Sequence, residues 1–246
     1  MALKSIVAGC GVAGLTLLLA ACSPSPEDIA KFKEEERLRC LDHLCQGDKL
    51  PQYDYWKNEL LKLNGQWFIG TKRYFSSGFN GATFYWPSKT PGSSSGDFPE
   101  KALEVAGKGD MVTVWIFLRH NPYPKPRTTA YQLLLDKEQQ GMLVEKFMSP
   151  ADDQEIWRVY DDPSRKFVSR YYVAKDLEYS PPGAGHPVLG CSDRTEYQEH
   201  SNCTAGFRWR DGISADIRVH QRHAYDWPAI YQEIIRVLSL LQPVKN

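Results

Sequence analysis

Short apolar runs at close spacing restrict the folds open to this chain. From Trp67 onward the sequence breaks into runs rich in β-branched and aromatic residues. They lie at residues 82–86, 111–118, 130–135, 142–147, 154–160, 166–173, 205–209 and 213–220. Spacings this short leave no room for crossover helices, so the runs predict strands of a largely antiparallel sheet. Arg210-Asp211-Gly212, between the last two runs, predicts a tight hairpin.

Two segments have the periodicity of helices. Residues 27–44 are rich in charge and carry apolar residues at helical spacing (Ile29, Phe32, Leu38 and Leu41), which predicts an amphipathic lead-in helix. A second helix is predicted to begin at Asp226 as N-cap, with Pro228 in its first turn and Pro243 after its end. Its apolar positions follow the pattern of a helix packed on a sheet. They are Trp227, Ile230, Tyr231, Ile234, Ile235, Leu238 and Leu241.

These patterns predict an α+β fold. Its body is a largely antiparallel β-sheet, with an N-terminal lead-in helix and a C-terminal amphipathic helix packed on the sheet. We expect residues 1–21 to be a signal peptide, residues 22–45 a lipidated tether and lead-in helix, and residues 46–246 a single α+β domain.

The N-terminus has the parts of a secretion signal. Lys4 precedes an apolar stretch from Ile6 to Ala21 that is short for a membrane span. The stretch ends in Leu19-Ala20-Ala21-Cys22, which resembles the bacterial lipoprotein signal. That resemblance implies that Cys22 is lipidated and becomes the mature N-terminus. Ser23 follows instead of Asp, which implies forwarding to the outer membrane. We therefore expect a protein held at the periplasmic face of the outer membrane by the lipid on Cys22.

The remaining cysteines indicate disulfides. Removal of the signal takes out Cys10, and lipidation uses Cys22. The four that remain, Cys40, Cys45, Cys191 and Cys203, allow three pairings in an oxidising periplasm. Their clustering favours Cys40–Cys45 and Cys191–Cys203. Neither spacing is that of a structural zinc site.

Candidate catalytic and metal-binding motifs lack the context that their chemistry requires. Residues 92–96 match the G-x-S-x-G nucleophile elbow, but Ser94 lies in a Gly/Ser/Pro-rich loop instead of between a strand and a helix. His220 and His223 could share a metal with His186 or His200, but their spacing at the end of a strand does not favour it. The paired carboxylates at residues 152–153 and 161–162 are typical of turns. We therefore expect no enzyme activity, no cofactor and no metal.

Charge and loop composition bear on partners. Thirty Lys and Arg balance 30 Asp and Glu, so the chain lacks the basic footprint of a nucleic-acid-binding protein. The segment between Cys191 and Cys203 carries Asp193, Glu196 and Glu199 around Tyr197. Because a disulfide would limit its freedom, this loop loses little entropy on binding and is a candidate partner-binding segment.

The whole pattern resembles a known class of envelope protein. A lipoprotein signal, a short Cys-bounded N-terminal helix, a β-rich body and a closing helix that begins with Tyr225-Asp226-Trp227-Pro228-Ala229-Ile230 are similar to periplasmic immunity lipoproteins paired with type VI secretion phospholipase effectors. The resemblance implies that the chain binds a protein toxin, a lipase, and inhibits it. Two alternatives stay open: a structural or assembly lipoprotein of the outer membrane, and an envelope hydrolase.

Overall fold

The computed structural model describes residues 25–92, 112–120, 129–175, 186–192 and 202–244. They fall into two units, one ending at Arg39 and the other beginning at Cys40.

Helix α1 spans Pro26–Asp42, close to the predicted lead-in helix. The Ser25 hydroxyl accepts a hydrogen bond from the backbone N–H of Asp28 at 3.1 Å, and the Asp28 carboxylate accepts one from the backbone N–H of Ser25 at 3.2 Å. This reciprocal cap fixes the start of the helix. Among the described residues, no helix has the length and apolarity to cross a membrane.

The second unit is built on two antiparallel sheets. Across the larger sheet the strands are β3 (Phe75–Ser76), β4 (Gly81–Trp86), β5 (Val112–His120), β11 (Ile213–His220), β10 (Asn202–Arg210), β9 (Val188–Ser192), β8 (Val168–Ala174), β7 (Gln154–Tyr160) and β6 (Leu143–Met148). The smaller sheet holds β1 (Asn58–Leu63), β2 (Gln66–Thr71) and β12 (Gln242–Pro243). The fold is α+β and dominated by antiparallel sheet, as predicted.

Two tight turns fix hairpins in these sheets. Asp211 and Gly212 connect β10 to β11, which confirms the predicted hairpin, and Gly212 has a φ of 71°. Asn64 and Gly65 connect β1 to β2 with φ values of 50° and 77°. Positive φ at both central residues is the turn that matches strand twist, and Asn-Gly favours it.

Residues 130–135 form a helix, so the predicted strand there is wrong. Helix α2 spans Ala130–Gln139, and the Thr129 side chain caps it by accepting from the backbone N–H of Gln132 at 3.1 Å. The leucine run suits either structure locally. Helical spacing places Leu134 in the protein interior and leaves Leu133 exposed, so the run packs as one face of a helix.

Helix α3 spans Trp227–Ser239 and confirms the predicted C-terminal helix. Asp226 precedes it, but its carboxylate makes no capping bond. Instead this carboxylate accepts from Trp86 Nε1 at 3.0 Å and lies 2.8 Å from Nδ1 of His223. The predicted apolar positions of the helix are buried, except for the half-buried Ile235. Each fully buried large side chain contributes about 2 kcal/mol of burial free energy.

Candidate functional site

The larger sheet has two faces of different character. Strand residues alternate, so Ile213, Ala215, Ile217 and Val219 of β11 are buried on the face that α3 covers. We call this the inner face and the opposite side the outer face. Helix α2 covers the β7–β9 end of the outer face, where Leu134 packs in a cluster with Trp157, Val159, Val173 and Val188.

The β-sheet register places a row of residues across the outer face. Trp115 of β5 is opposite Arg218, Arg218 is opposite Thr204, Thr204 is opposite Gly190, and Gly190 is opposite Tyr171 of β8. Thr204 and Gly190 of this row have small side chains, whereas aromatic rings stand at both ends of the row. The surface of the outer face is therefore lower at Thr204 and Gly190 than on either side, which leaves a dip there.

This dip is a groove of about 660 Å³. Gly190, Thr204 and Gly206 line its floor, and Tyr171 and Val188 line the wall on the side of α2. A Cβ added at Gly190 would lie 3.1 Å from Cε1 of the Tyr171 ring, so the ring rests almost directly on the glycine. Glycine at this position thus lets the Tyr171 wall lie close to the sheet.

Phe79 and Phe117 line the opposite wall, and Trp115 packs against both of them. The rings of Trp115 and Phe117 are nearly parallel, at 9°, with centroids 6.1 Å apart. The Phe79 ring meets both edge to face, at 5.6 and 5.7 Å. Trp115 nevertheless keeps 40% of its surface exposed. A rigid and partly exposed aromatic wall of this kind is typical of residues that dominate binding energy at protein interfaces.

Charged groups border the groove. Arg119 and Asp216 form an ion pair at 2.5 Å, and the Arg218 guanidinium lies over the Phe117 ring, 5.1 Å from its centroid. Within the described part of the chain, no carboxylate pairs with Arg218. Among the described residues that line the groove, two guanidinium groups accompany one carboxylate. The arrangement can therefore receive an apolar side chain on the floor and a carboxylate on Arg218.

The predicted partner-binding segment leaves the sheet beside this groove. Asp193, Glu196, Tyr197 and Glu199 lie outside the described residues. The ends of that segment belong to β9 and β10, where Cys191 and Cys203 form a disulfide whose residues are buried. In the register, the cystine is directly next to the Gly190 and Thr204 pair of the groove floor.

The structure contains both disulfides that the clustering of cysteines favours. Cys40 pairs with Cys45, with their Cα atoms 5.6 Å apart, directly at the end of helix α1. Cys191 and Cys203 form the second pair. Cys22, the predicted lipidation site, lies outside the described residues.

The candidate catalytic and metal-binding residues that the structure describes lie in turns or at strand ends and make local hydrogen bonds. Asp152 and Asp153 lie in the β6–β7 turn, and Asp153 accepts from the Ser149 hydroxyl at 2.8 Å. Asp161 and Asp162 follow β7, and hydrogen bonds from the side chain and backbone of Ser164 lower the pKa of the Asp162 carboxyl. His220 Nδ1 accepts from the backbone N–H of Arg222 at 3.3 Å.

The remaining candidates are placed as follows. Ser94 and His200 lie outside the described residues, whereas the His186 ring meets Tyr131 edge to face at 4.9 Å. Among the residues described, no cluster of three or more His, Cys, Asp or Glu side chains could hold a metal ion.

Comparisons with known proteins give weak similarity. No protein-family model and no curated protein matches the chain. The iron-regulated outer membrane lipoprotein FrpD of Neisseria meningitidis is 12% identical over 78% of this chain and 95% of its own, with a TM-score of 0.44. Smlt3025, an immunity protein of the Stenotrophomonas maltophilia type IV secretion system, is 13% identical over 77% of this chain and 94% of its own, with a TM-score of 0.36. At these values neither comparison transfers a function to this chain.

Proposed function

We propose that this chain is a lipid-anchored envelope protein that binds another protein through the groove on its outer face. The observation that carries the proposal is the groove itself, with a floor of small residues between the aromatic wall at Phe79 and Phe117 and the Tyr171 wall. A floor of this kind accepts the side chains of a partner, and Trp, Tyr and Arg are the residues that most often anchor such contacts.

The partner in this proposal is a protein toxin, a secreted phospholipase of the type VI class, which the chain inhibits. The order of a lipoprotein signal, a Cys-bounded helix, a β-rich body and a closing helix supports this choice through its resemblance to immunity lipoproteins. Lipidation at Cys22 would hold the inhibitor beside the phospholipid that the toxin attacks. The chain itself is proposed to act by binding, without catalysis.

The location follows from the sequence at Cys22. We propose that the mature protein sits at the periplasmic face of the outer membrane. Cys22→Ala should remove the lipid and release the protein from the membrane fraction, because acyl chains contribute about 0.8 kcal/mol per buried CH₂. Intact-mass spectrometry of the purified protein measures the lipid directly. An unmodified Cys22 thiol in the wild-type protein would contradict the proposed location.

Binding is tested by filling the groove. Thr204 is exposed on the floor, so Thr204→Arg places a long cation where the partner's side chain would enter. We expect at least about tenfold weaker binding to the co-purified partner, which corresponds to about 1.4 kcal/mol. Val144→Arg is the matched control because Val144 is exposed on β6, at the edge of the same sheet.

The identity of the partner is tested by activity. If the co-purified protein hydrolyses phospholipid, the wild-type chain should inhibit it and Thr204→Arg should inhibit it less. A partner without lipase activity that belongs to outer-membrane assembly would favour the structural alternative. Equal binding by Thr204→Arg and Val144→Arg would place the interface outside the groove.

A further inference from the structure

A second aromatic cluster lies in the segment before β1. Tyr53, Tyr55 and Trp56 precede β1, and we call these three residues the aromatic patch. The Tyr53 and Tyr55 rings are 6.4 Å apart, and the Tyr55 and Trp56 rings are 5.9 Å apart, both edge to face. Trp56 is 86% exposed and Tyr55 is 59% exposed. Large aromatic rings rarely face water to this extent without a partner.

The backbone around the patch is held in place. The N–H of Trp56 donates to the Asp54 carboxylate at 3.0 Å, and the N–H groups of Lys57 and Asn58 donate to the Asp54 carbonyl at 3.2 and 2.9 Å. The N–H of Lys72 donates to the Lys57 carbonyl at 3.0 Å. The turn is thereby attached to the β1–β2 hairpin, so the exposure of Trp56 is built into the fold.

A cation lies over one ring of the patch. The Lys72 ammonium lies 3.6 Å from the centre of the Tyr55 ring. Lys57 follows Trp56 in the chain, Arg73 follows Lys72, and both are exposed. Glu59, half-buried, lies 4.0 Å from Lys72 and accepts from the Ser77 hydroxyl at 2.8 Å. Asp54 is the exposed carboxylate of the turn and lies 3.6 Å from Lys57. The exposed charge beside the patch is therefore positive.

Trp and Tyr side chains next to Lys and Arg are typical of protein surfaces that bind the membrane interface. The rings reside among the lipid headgroups, and the long cationic side chains reach the phosphates. We propose that the aromatic patch rests on an anionic phospholipid surface and orients the anchored body there. This inference relies on the proposed membrane location but not on toxin binding. Leu44 and Leu50 are also exposed in the segment before β1.

The test uses the mature lipidated protein reconstituted into vesicles. Lipids brominated near the headgroup quench tryptophans that enter the interface. On vesicles of phosphatidylethanolamine and phosphatidylglycerol, we expect clear quenching of the wild-type protein and loss of most of it in Trp56→Phe. Trp115→Phe is the matched control, because Trp115 is an exposed tryptophan on the outer face of the sheet. It should keep the wild-type quenching.

Charge reversal tests the lipid class. Lys57→Glu combined with Arg73→Glu should reduce the quenching on these vesicles and leave it unchanged on phosphatidylcholine alone. Quenching that is absent, or equal in the wild type and Trp56→Phe, would overturn the proposal. Equal quenching on both vesicle types, unaffected by charge reversal, would overturn its anionic part. Mass spectrometry of the same sample measures lipidation at Cys22 separately. Loss of quenching because the lipid anchor is absent is thereby distinguished from an aromatic patch that does not contact the membrane.

Discussion

The carboxylate of Asp42 lies 2.6 Å from Nδ1 of His120 and also accepts the backbone N–H of the same residue at 2.7 Å. Its other oxygen accepts the backbone N–H of Asn64 at 3.0 Å, and Asn80 Nδ2 donates to the Asp42 carbonyl. A single buried aspartate thereby joins the β1–β2 turn, the end of β5 and the start of β4.

We expect Asp42→Ala to lower the free energy of unfolding by about 3 kcal/mol. The substitution leaves two partly buried N–H groups without their acceptor, and bonds to a charged acceptor contribute about 1.5–3 kcal/mol. Urea unfolding measures the change. Asp211→Ala is the control, because Asp211 is fully exposed and pairs with Arg208 across a turn. A loss for Asp42→Ala as small as the control's would mean that this cluster does not hold the fold together.

Glu155 should make stability depend on pH. Burial opposes its ionisation and is the largest single influence, but bonds from Lys175 and Trp157 and the charges of Lys146 and Lys175 together lower the pKa of this carboxyl. A lowered folded-state pKa stabilises the protein above the ordinary value of 4.5, and this contribution is lost as the pH falls through the folded-state value.

Glu155→Gln should therefore be less stable than the wild type by about 1 kcal/mol at neutral pH and equal to it in strong acid. Thermal unfolding across the acid range measures the difference. Glu145→Gln is the control on β6, where the carboxylate pairs with Arg158 at 2.7 Å but is 46% exposed. A difference that stays constant down to low pH would contradict the role assigned to the Glu155 charge.

The cystine of β9 and β10 should be the more important of the two for stability. In the chain-entropy model the closed segment between Cys191 and Cys203 contributes about 3 kcal/mol, and the shorter one between Cys40 and Cys45 contributes about 2 kcal/mol. Replacing each pair by Ala and measuring urea unfolding tests the order. Peptide mapping without reduction should recover both pairs, and a peptide that joins Cys40 to Cys191 would show that the pairing is wrong.

The acidic segment beside the groove remains a prediction for partner binding. Tyr197→Ala, and Glu196→Lys combined with Glu199→Lys, should each weaken the complex by about 2 kcal/mol if these residues are anchors. A binding titration with variants of unchanged melting temperature measures this. Losses under about 0.5 kcal/mol in both would assign recognition to the groove without the segment.

The periodicity of apolar residues and the turn residues predict the C-terminal helix and the β10–β11 hairpin, which depend on local sequence. The spacing of Trp227, Ile230 and Ile234 predicts one helical face, and Asp211-Gly212 predicts a hairpin that the structure contains. The same kind of hairpin signal, Asn64-Gly65, connects β1 to β2. The predicted strands begin only after Trp67 and therefore do not include β1. Residues 130–135 were mistaken for a strand because a leucine run fits both periods, although Thr129 and the polar residues that follow favour a helix.

The groove could not be predicted from local sequence. Gly190 and Thr204 face each other only because of the register between β9 and β10, and Tyr171 reaches Gly190 only through the next strand. Register depends on the pairing of distant segments, which no local pattern specifies. The seven Trp, 13 Tyr and 10 Phe of the chain are compatible with a binding face, but they do not locate one.

The alternation of side chains along the strands separates two kinds of change. On β5, Val114 and Ile116 are buried under α3, whereas Trp115 and Phe117 point away from it. A substitution at an outer position therefore leaves the packing beneath α3 intact. If the outer face binds a partner as proposed, its residues can change together with that partner while the packing beneath α3 is inherited unaltered.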